Sequence, residues 1–175
     1  MRVLTVAVAA LLVAGCGAVE TTRTARDDLF VLTTTVPRLT YRANDEIDVQ
    51  ARLTYVGSEP EVTVLGPDYG LVTIWFKQLD GPLHMAPLSI LMCSRQFITL
   101  KRGVAVAFPP AKPGAAYDPN APTASFYRSW NADPKLHLPV GRWQIQSRLS
   151  TCGGTGPGGN DHVLTTPPLI VSVVP

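Results

Sequence analysis

The alternation between residues 46 and 55 constrains the fold more than any other stretch. Ile47, Val49, Ala51, Leu53 and Tyr55 fall at every second position, with polar residues between them. A period of two places one set on one face of an extended chain, which predicts a half-buried antiparallel strand. The same spacing returns in 142–149, where Trp143, Ile145, Ser147 and Leu149 share a face. Further strand-forming runs are 29–36, ending at Pro37, then 61–65, 71–79 with Trp75 and Phe76, 162–165 and 169–174. The runs 96–100 and 104–108 flank Lys101-Arg102-Gly103 and predict a hairpin or a strand corner. Turn signals at 56–60 and 80–82, and Pro167-Pro168 between the last two runs, separate the strands. Sixteen prolines and fourteen glycines leave little room for long helix. No internal repeat and no convincing amphipathic helix is visible. One all-β domain, an antiparallel β-sandwich, is the expected architecture.

Two stretches resemble the immunoglobulin-like domains of bacterial surface proteins. One is 41–55, an Asn44-Asp45 turn leading into the alternating strand; the other is Leu138-Pro139-Val140-Gly141-Arg142-Trp143, a proline-glycine corner before an aromatic. The resemblance implies an immunoglobulin-like fold and carries no activity. The antibody pattern is not followed, since Trp75 precedes both Cys93 and Cys152, and Ser150 stands where a tyrosine is expected. Leu53-Thr54-Tyr55-Val56-Gly57, with Glu61-Val62-Thr63-Val64 after it, resembles the small sandwich of the BsuPI-type proteinase inhibitors. No inhibitory residue carries over from that family.

At the N-terminus, Arg2 precedes an apolar run from 3 to 13 that ends in Val13-Ala14-Gly15-Cys16. About eleven apolar residues are too few to cross a hydrocarbon core of roughly 30 Å as a helix, so the run reads as an export signal. The four closing residues resemble the lipobox of bacterial lipoproteins. The resemblance implies cleavage after 1–15 and a diacylglycerol on Cys16, with palmitate-type acyl chains holding the protein to the membrane. Two chains suffice for stable anchoring where one binds marginally. Gly17 is not the aspartate that retains some lipoproteins at the inner membrane. Residues 16–28 are polar without an apolar period and predict a flexible tether, leaving 29–175 as the β-sandwich domain.

With Cys16 taken by lipid, Cys93 and Cys152 remain, and one pairing exists. Export places them where disulfides persist, so a Cys93–Cys152 bridge is expected; a zinc site or a reactive thiol are the alternatives. Of 15 basic residues Arg2 lies in the leader, which leaves 14 against 13 acidic ones. That balance argues against nucleic acid or a strongly anionic surface as partner.

Few residues suggest chemistry. Asp45, Glu46 and Asp48 offer three carboxylates that Ca²⁺ would accept, or else a solvated strand face. His84, His137 and His162 show no ligand spacing, and His162 alone has an adjacent carboxylate, Asp161. No Gly-x-Ser-x-Gly elbow is present, and the glycine run 153–159 lacks the ending of a phosphate loop. Residues 109–125 predict a long surface loop. Tyr117, Phe126, Tyr127 and Trp130 cluster in and just after it. They either stack on a sugar or anchor a protein partner, or Phe126 and Trp130 fold back to cover the core.

The function expected is non-catalytic: a lipid-anchored domain on the extracytoplasmic face of the bacterial cell envelope, binding a protein or an envelope polymer, with no cofactor and no metal. A proteinase inhibitor, and an envelope hydrolase using His162 and Asp161, are the alternatives.

Overall fold

The computed structural model describes residues 20–86, 93–108, 112–153 and 161–175. The leader 1–15, Cys16 and residues 154–159 of the glycine run lie outside them. The strands are β1 (Thr21–Arg26), β2 (Phe30–Val36), β3 (Thr40–Arg42), β4 (Gln50–Tyr55), β5 (Glu61–Pro67), β6 (Val72–Gln78), β7 (His84–Met85), β8 (Cys93–Lys101), β9 (Ala105–Phe108), β10 (Gly141–Ser150), β11 (Val163–Thr165) and β12 (Leu169–Val174), with helix α1 (Ala124–Ala132) before β10.

Three sheets make a sandwich-like all-β fold. A four-stranded sheet runs β1-β2-β4-β9, and a six-stranded sheet runs β3-β12-β10-β6-β7 with β11 also beside β10. A ribbon of β5 and β8 completes the fold. Among the described residues the strand pairings are antiparallel except β12 with β3, and an isolated parallel bridge joins Tyr55 to Arg102. The alternating residues do what their period demands. Phe30, Leu32 and Val36 of β2 and Ala51, Leu53 and Tyr55 of β4 face Ile74 and Phe76 of β6, Trp143, Ile145 and Leu149 of β10, and Leu169, Val171 and Val173 of β12, all buried.

Three buried hydroxyls interrupt this apolar layer and join the sheets. Thr34 of β2 donates to Ser147 Oγ of β10 at 2.6 Å, and its oxygen lies 3.0 Å from Thr166 Oγ1. Thr166 Oγ1 also accepts the Ser147 backbone N–H at 3.0 Å. Each hydroxyl satisfies another, so burial carries little penalty. The proline-glycine corner has a comparable logic. Trp143 donates its indole N–H to the Pro139 carbonyl at 2.9 Å. Gly141 has φ +143°, and the space a side chain would need holds the Asp80 carboxylate, which accepts the Arg142 N–H.

Cys93 and Cys152 form the disulfide, with Cα atoms 5.8 Å apart. It ties the start of β8 to the second residue beyond β10, and the Cys152 N–H donates to the Leu65 carbonyl of β5 at 2.8 Å. Ribbon and six-stranded sheet are thereby joined by a covalent bond and a backbone hydrogen bond.

Three expectations need correction, and one pair of alternatives is decided. Residues 21–26 are not tether but β1, an edge strand fully paired with β2. Its side chains face mainly solvent, so no apolar period marked it; Thr22 bonds across to Thr35 at 2.8 Å. The run 46–55 becomes strand only from Gln50, although Ile47 and Val49 are buried, and Ile47 N–H donates to the Leu136 carbonyl. Lys101-Arg102-Gly103 is a strand corner rather than a hairpin: β8 pairs with β5 and β9 with β4, and Gly103 takes φ +76° between them. Finally, 124–132 is helical.

Candidate functional site

Helix α1 is short, lacks a side-chain cap at Thr123 and has no acidic residue in its first turn. An isolated helix of nine residues is marginal in water, so its contacts with the sheet supply the stability. Tyr127 and Trp130, three residues apart on one face, are 9% and 3% exposed. The Tyr127 hydroxyl accepts the His84 N–H at 3.1 Å and donates to the His84 carbonyl at 3.2 Å. It therefore pairs the edge strand β7 as a neighbouring strand would. Trp130 packs edge-on against Phe76 and donates its indole N–H to the Pro113 carbonyl at 2.7 Å. Asn131 grips Ala115 by both backbone groups, at 2.9 and 3.0 Å.

The four aromatics singled out by the sequence do come together. Tyr117 stacks on Tyr127 with ring centres 5.9 Å apart, and Phe126 touches both Tyr127 and Trp130. They form a lid on the core: Tyr127 and Trp130 are buried, with Tyr117 and Phe126 packed partly against that core. Of the two roles open to them, folding back over the core describes their packing. Beside Trp130 lies a cleft of 260 Å³, whose lining includes Lys112, Asp133 and His137. The Lys112 ammonium sits 4.3 Å from the Trp130 ring centre and donates to the Asp133 carbonyl; burial pushes its pKa down, against the opposing pull of Asp133. His137 Nδ1 lies 2.9 Å from Asp133 Oδ2, and the Lys135 N–H and His137 together hold the Asp133 carboxyl below its ordinary pKa.

The other candidates are dispersed. Asp45 pairs with Arg38 and accepts the Arg42 N–H, Glu46 pairs with Lys135, and Asp48 accepts from Gln50. The three carboxylates expected for calcium thus have three different partners. Among the described residues no three His, Cys, Asp or Glu side chains converge as a metal site. His84 stands on β7. His162 meets Asp27 rather than Asp161 as its paired carboxylate, Nε2 to Oδ2 at 2.8 Å, while its ring packs on Phe30. Asp27 Oδ1 also accepts the N–H groups of Leu29 and Phe30. Burial raises the Asp27 pKa, but those two donors and His162 outweigh it and leave the carboxyl below its ordinary value. This pair fastens the β1–β2 turn to the chain just before β11.

A site not anticipated from sequence is the outer face of the six-stranded sheet. Trp75 of β6 is half-buried there, opposite Gln146 of β10, and Lys77 stands between Gln144 of β10 and His84 of β7. With Phe76 these five residues line a cleft of 360 Å³. The indole N–H donates to Thr73 Oγ1 at 3.2 Å, and the Arg148 guanidinium lies 5.3 Å from the ring centre. Gln144 donates to Gln146, and Gln146 to the Thr166 carbonyl. Indole and both amides are thus held in place before any ligand arrives. The only local signal was the outward set Arg142, Gln144, Gln146 and Arg148; its meeting with Trp75 depends on pairing across some seventy residues.

Fold and site together define a sandwich-like all-β domain with a preformed aromatic and polar sheet face. Comparison with protein-family models, curated proteins and solved structures gives no match.

Proposed function

We propose that this chain is a lipid-anchored, non-catalytic binding domain at the extracytoplasmic face of the bacterial cell envelope, attached by a diacylglycerol on Cys16. Its ligand is a protein or envelope polymer, and its binding surface is the outer face of the six-stranded sheet. The immunoglobulin-like resemblance belongs to the same reading, because domains of that kind commonly present sheet faces or end loops to partners.

The observation that carries it is the cleft around Trp75, where an immobilised aromatic stands among amide and cationic side chains on a sheet already packed on its other side. Rigid amphipathic aromatics give contact area at low entropic cost. The Val13-Ala14-Gly15-Cys16 motif supports the address, and the Cys93–Cys152 bridge suits an oxidising compartment. The test combines two variants of the full chain. Cys16→Ser should abolish lipid labelling and release the protein from membranes. Trp75→Ala should keep the lipid but lose the partner captured from detergent-solubilised envelope. Capture by the Trp75 variant at the wild-type level would refute the proposed face.

A further inference from the structure

We infer that the outer face of the six-stranded sheet binds an acidic polysaccharide, a chain of pyranose rings bearing carboxylates. The inference rests on the binding-face reading above and adds the chemistry of the ligand.

The chain as a whole is almost neutral, but its charges are sorted between strands and connections; the four-stranded sheet likewise carries Arg23, Arg26 and Arg52 and no acidic residue in its strands, and what sets the six-stranded face apart is the aromatic and amide cleft among its cations. None of its thirteen acidic residues lies in the strands of the six-stranded sheet. Those strands carry Arg42, Lys77, Arg142 and Arg148, together with His84. Tyr41, Phe76, Trp143, Ile145, Ser147 and Leu149 point inward, so the cations that alternate with them point outward. Register places them in rows. Arg42 and Arg142 stand near one end, Lys77 with Gln144 and His84 in the next row, then Trp75 with Gln146, then Arg148 with Thr73. Asp45 and Asp80 approach the first end from outside the strands, and each accepts a backbone N–H, of Arg42 and Arg142.

The dimensions favour a polymer. Arg142 and Arg148 are six residues apart on one strand, about 20 Å, so no small anion reaches both. The middle of this track is not charged but aromatic and amide. An indole presents a flat apolar surface for the C–H face of a sugar ring, and two primary amides each donate to and accept from hydroxyls. Guanidinium groups at both ends match carboxylates in a two-pronged geometry. A bilayer would want protruding apolar side chains to insert; here Trp75 lines a cleft.

The experiment uses detergent-solubilised full chain and four probes: a polyuronate, a neutral glucan of matched length, anionic phospholipid vesicles and a single-stranded oligonucleotide. The polyuronate should bind best, and its affinity should fall as salt rises through the physiological range, where the screening length is about 8 Å. Trp75→Ala should raise the polyuronate Kd about tenfold. Lys77→Glu, which reverses an exposed charge in the middle of the track at an outward position without emptying the core, should abolish binding while thermal unfolding stays as in wild type. Equal binding of glucan and polyuronate, both lost in Trp75→Ala, would overturn the acidic ligand and keep the binding face. Preference for vesicles or oligonucleotide would overturn the polysaccharide. If no probe binds and Trp75→Ala still captures the envelope partner, the binding face falls as well.

Discussion

Replacing Thr34 by valine tests whether the two main sheets are joined by a specific polar contact or by apolar packing alone. The substitution keeps shape and removes one hydroxyl. Ser147 Oγ then loses the 2.6 Å bond from Thr34, whereas Thr166 Oγ1 still accepts the Ser147 N–H at 3.0 Å. One fully buried hydroxyl is stranded, which costs about 1–3 kcal/mol. The added methyl offsets up to about 0.8 kcal/mol of that. A net loss of about 1–2 kcal/mol is expected, and with a urea slope of about 2 kcal/mol/M for a domain of this size the midpoint falls by about 0.5–1 M.

The decisive measurement is a double-mutant cycle. Ser147→Ala removes the hydroxyl that Thr34→Val strands, so the double variant should be about 1 kcal/mol more stable than the sum of the single losses. Urea unfolding followed by tryptophan fluorescence reads all four proteins, and equal slopes keep the comparison valid. A Thr34→Val variant within 0.3 kcal/mol of wild type, or strict additivity, would refute the clasp and leave packing as the whole account.

Three further outcomes are expected. Removing the disulfide with Cys93→Ser and Cys152→Ser, a sequence separation of 59, should cost about 4 kcal/mol in the chain-entropy picture; wild type in reductant should match the variant in urea unfolding, and a loss under about 1 kcal/mol would contradict it. The Asp27 carboxyl has a lowered pKa in the folded chain, so its stabilisation is complete above the unfolded value near about 4 and disappears as pH falls through the lower folded one. The stability gap between wild type and Asp27→Asn should therefore close in acid, and a gap as wide at pH ~2 as at neutrality would refute the sign. Tyr127→Phe deletes both hydroxyl bonds to the β7 backbone and should speed hydrogen exchange at the His84 amide about fivefold or more, with exchange in β2 unchanged.

What could be read from the chain follows from which signals are local. β10 falls where the alternation of 142–149 placed it, β4 takes up the second half of the alternating run 46–55, and β2, β6 and β12 fall in the strand-forming runs 29–36, 71–79 and 169–174. β1 has no buried face to write a pattern, and its threonines and arginines read equally well as solvent-exposed tether. α1 is held by Tyr127 and Trp130 against a sheet formed elsewhere in the chain; no capping side chain marks its start, and the helical spacing of Ala124, Tyr127 and Trp130 runs for two turns at the end of a proline- and glycine-rich loop. Ser147 looked like one more residue on an apolar face; its reason for being polar is Thr34, 113 residues away. The candidate face failed to show for a related reason. Net charge is a sum over the chain, and a sum near zero is compatible with segregation of sign between strands and connections: the strands of both main sheets carry cations and no acidic residue, and the acidic residues stand mostly between strands. The inference from near-neutrality against a strongly anionic partner therefore holds only when charges are mixed on every face, and the strands of the six-stranded sheet do not mix them.

The ordering of Thr21–Arg26 also changes how the anchor relates to that face. If Cys16 carries the lipid, only residues 17–20 separate it from β1, and five residue steps span at most about 18 Å. The domain is then held close to the bilayer instead of ranging on a thirteen-residue tether. β1 belongs to the four-stranded sheet, whereas the cationic track belongs to the six-stranded one, and the two layers lie about 10 Å apart with the core between them. The anchor and the proposed binding face therefore leave the domain from different layers. A polymer lying along Arg142, Trp75 and Arg148 does not have to displace the strand that leads to the lipid, so attachment and ligand binding make separate demands on the fold.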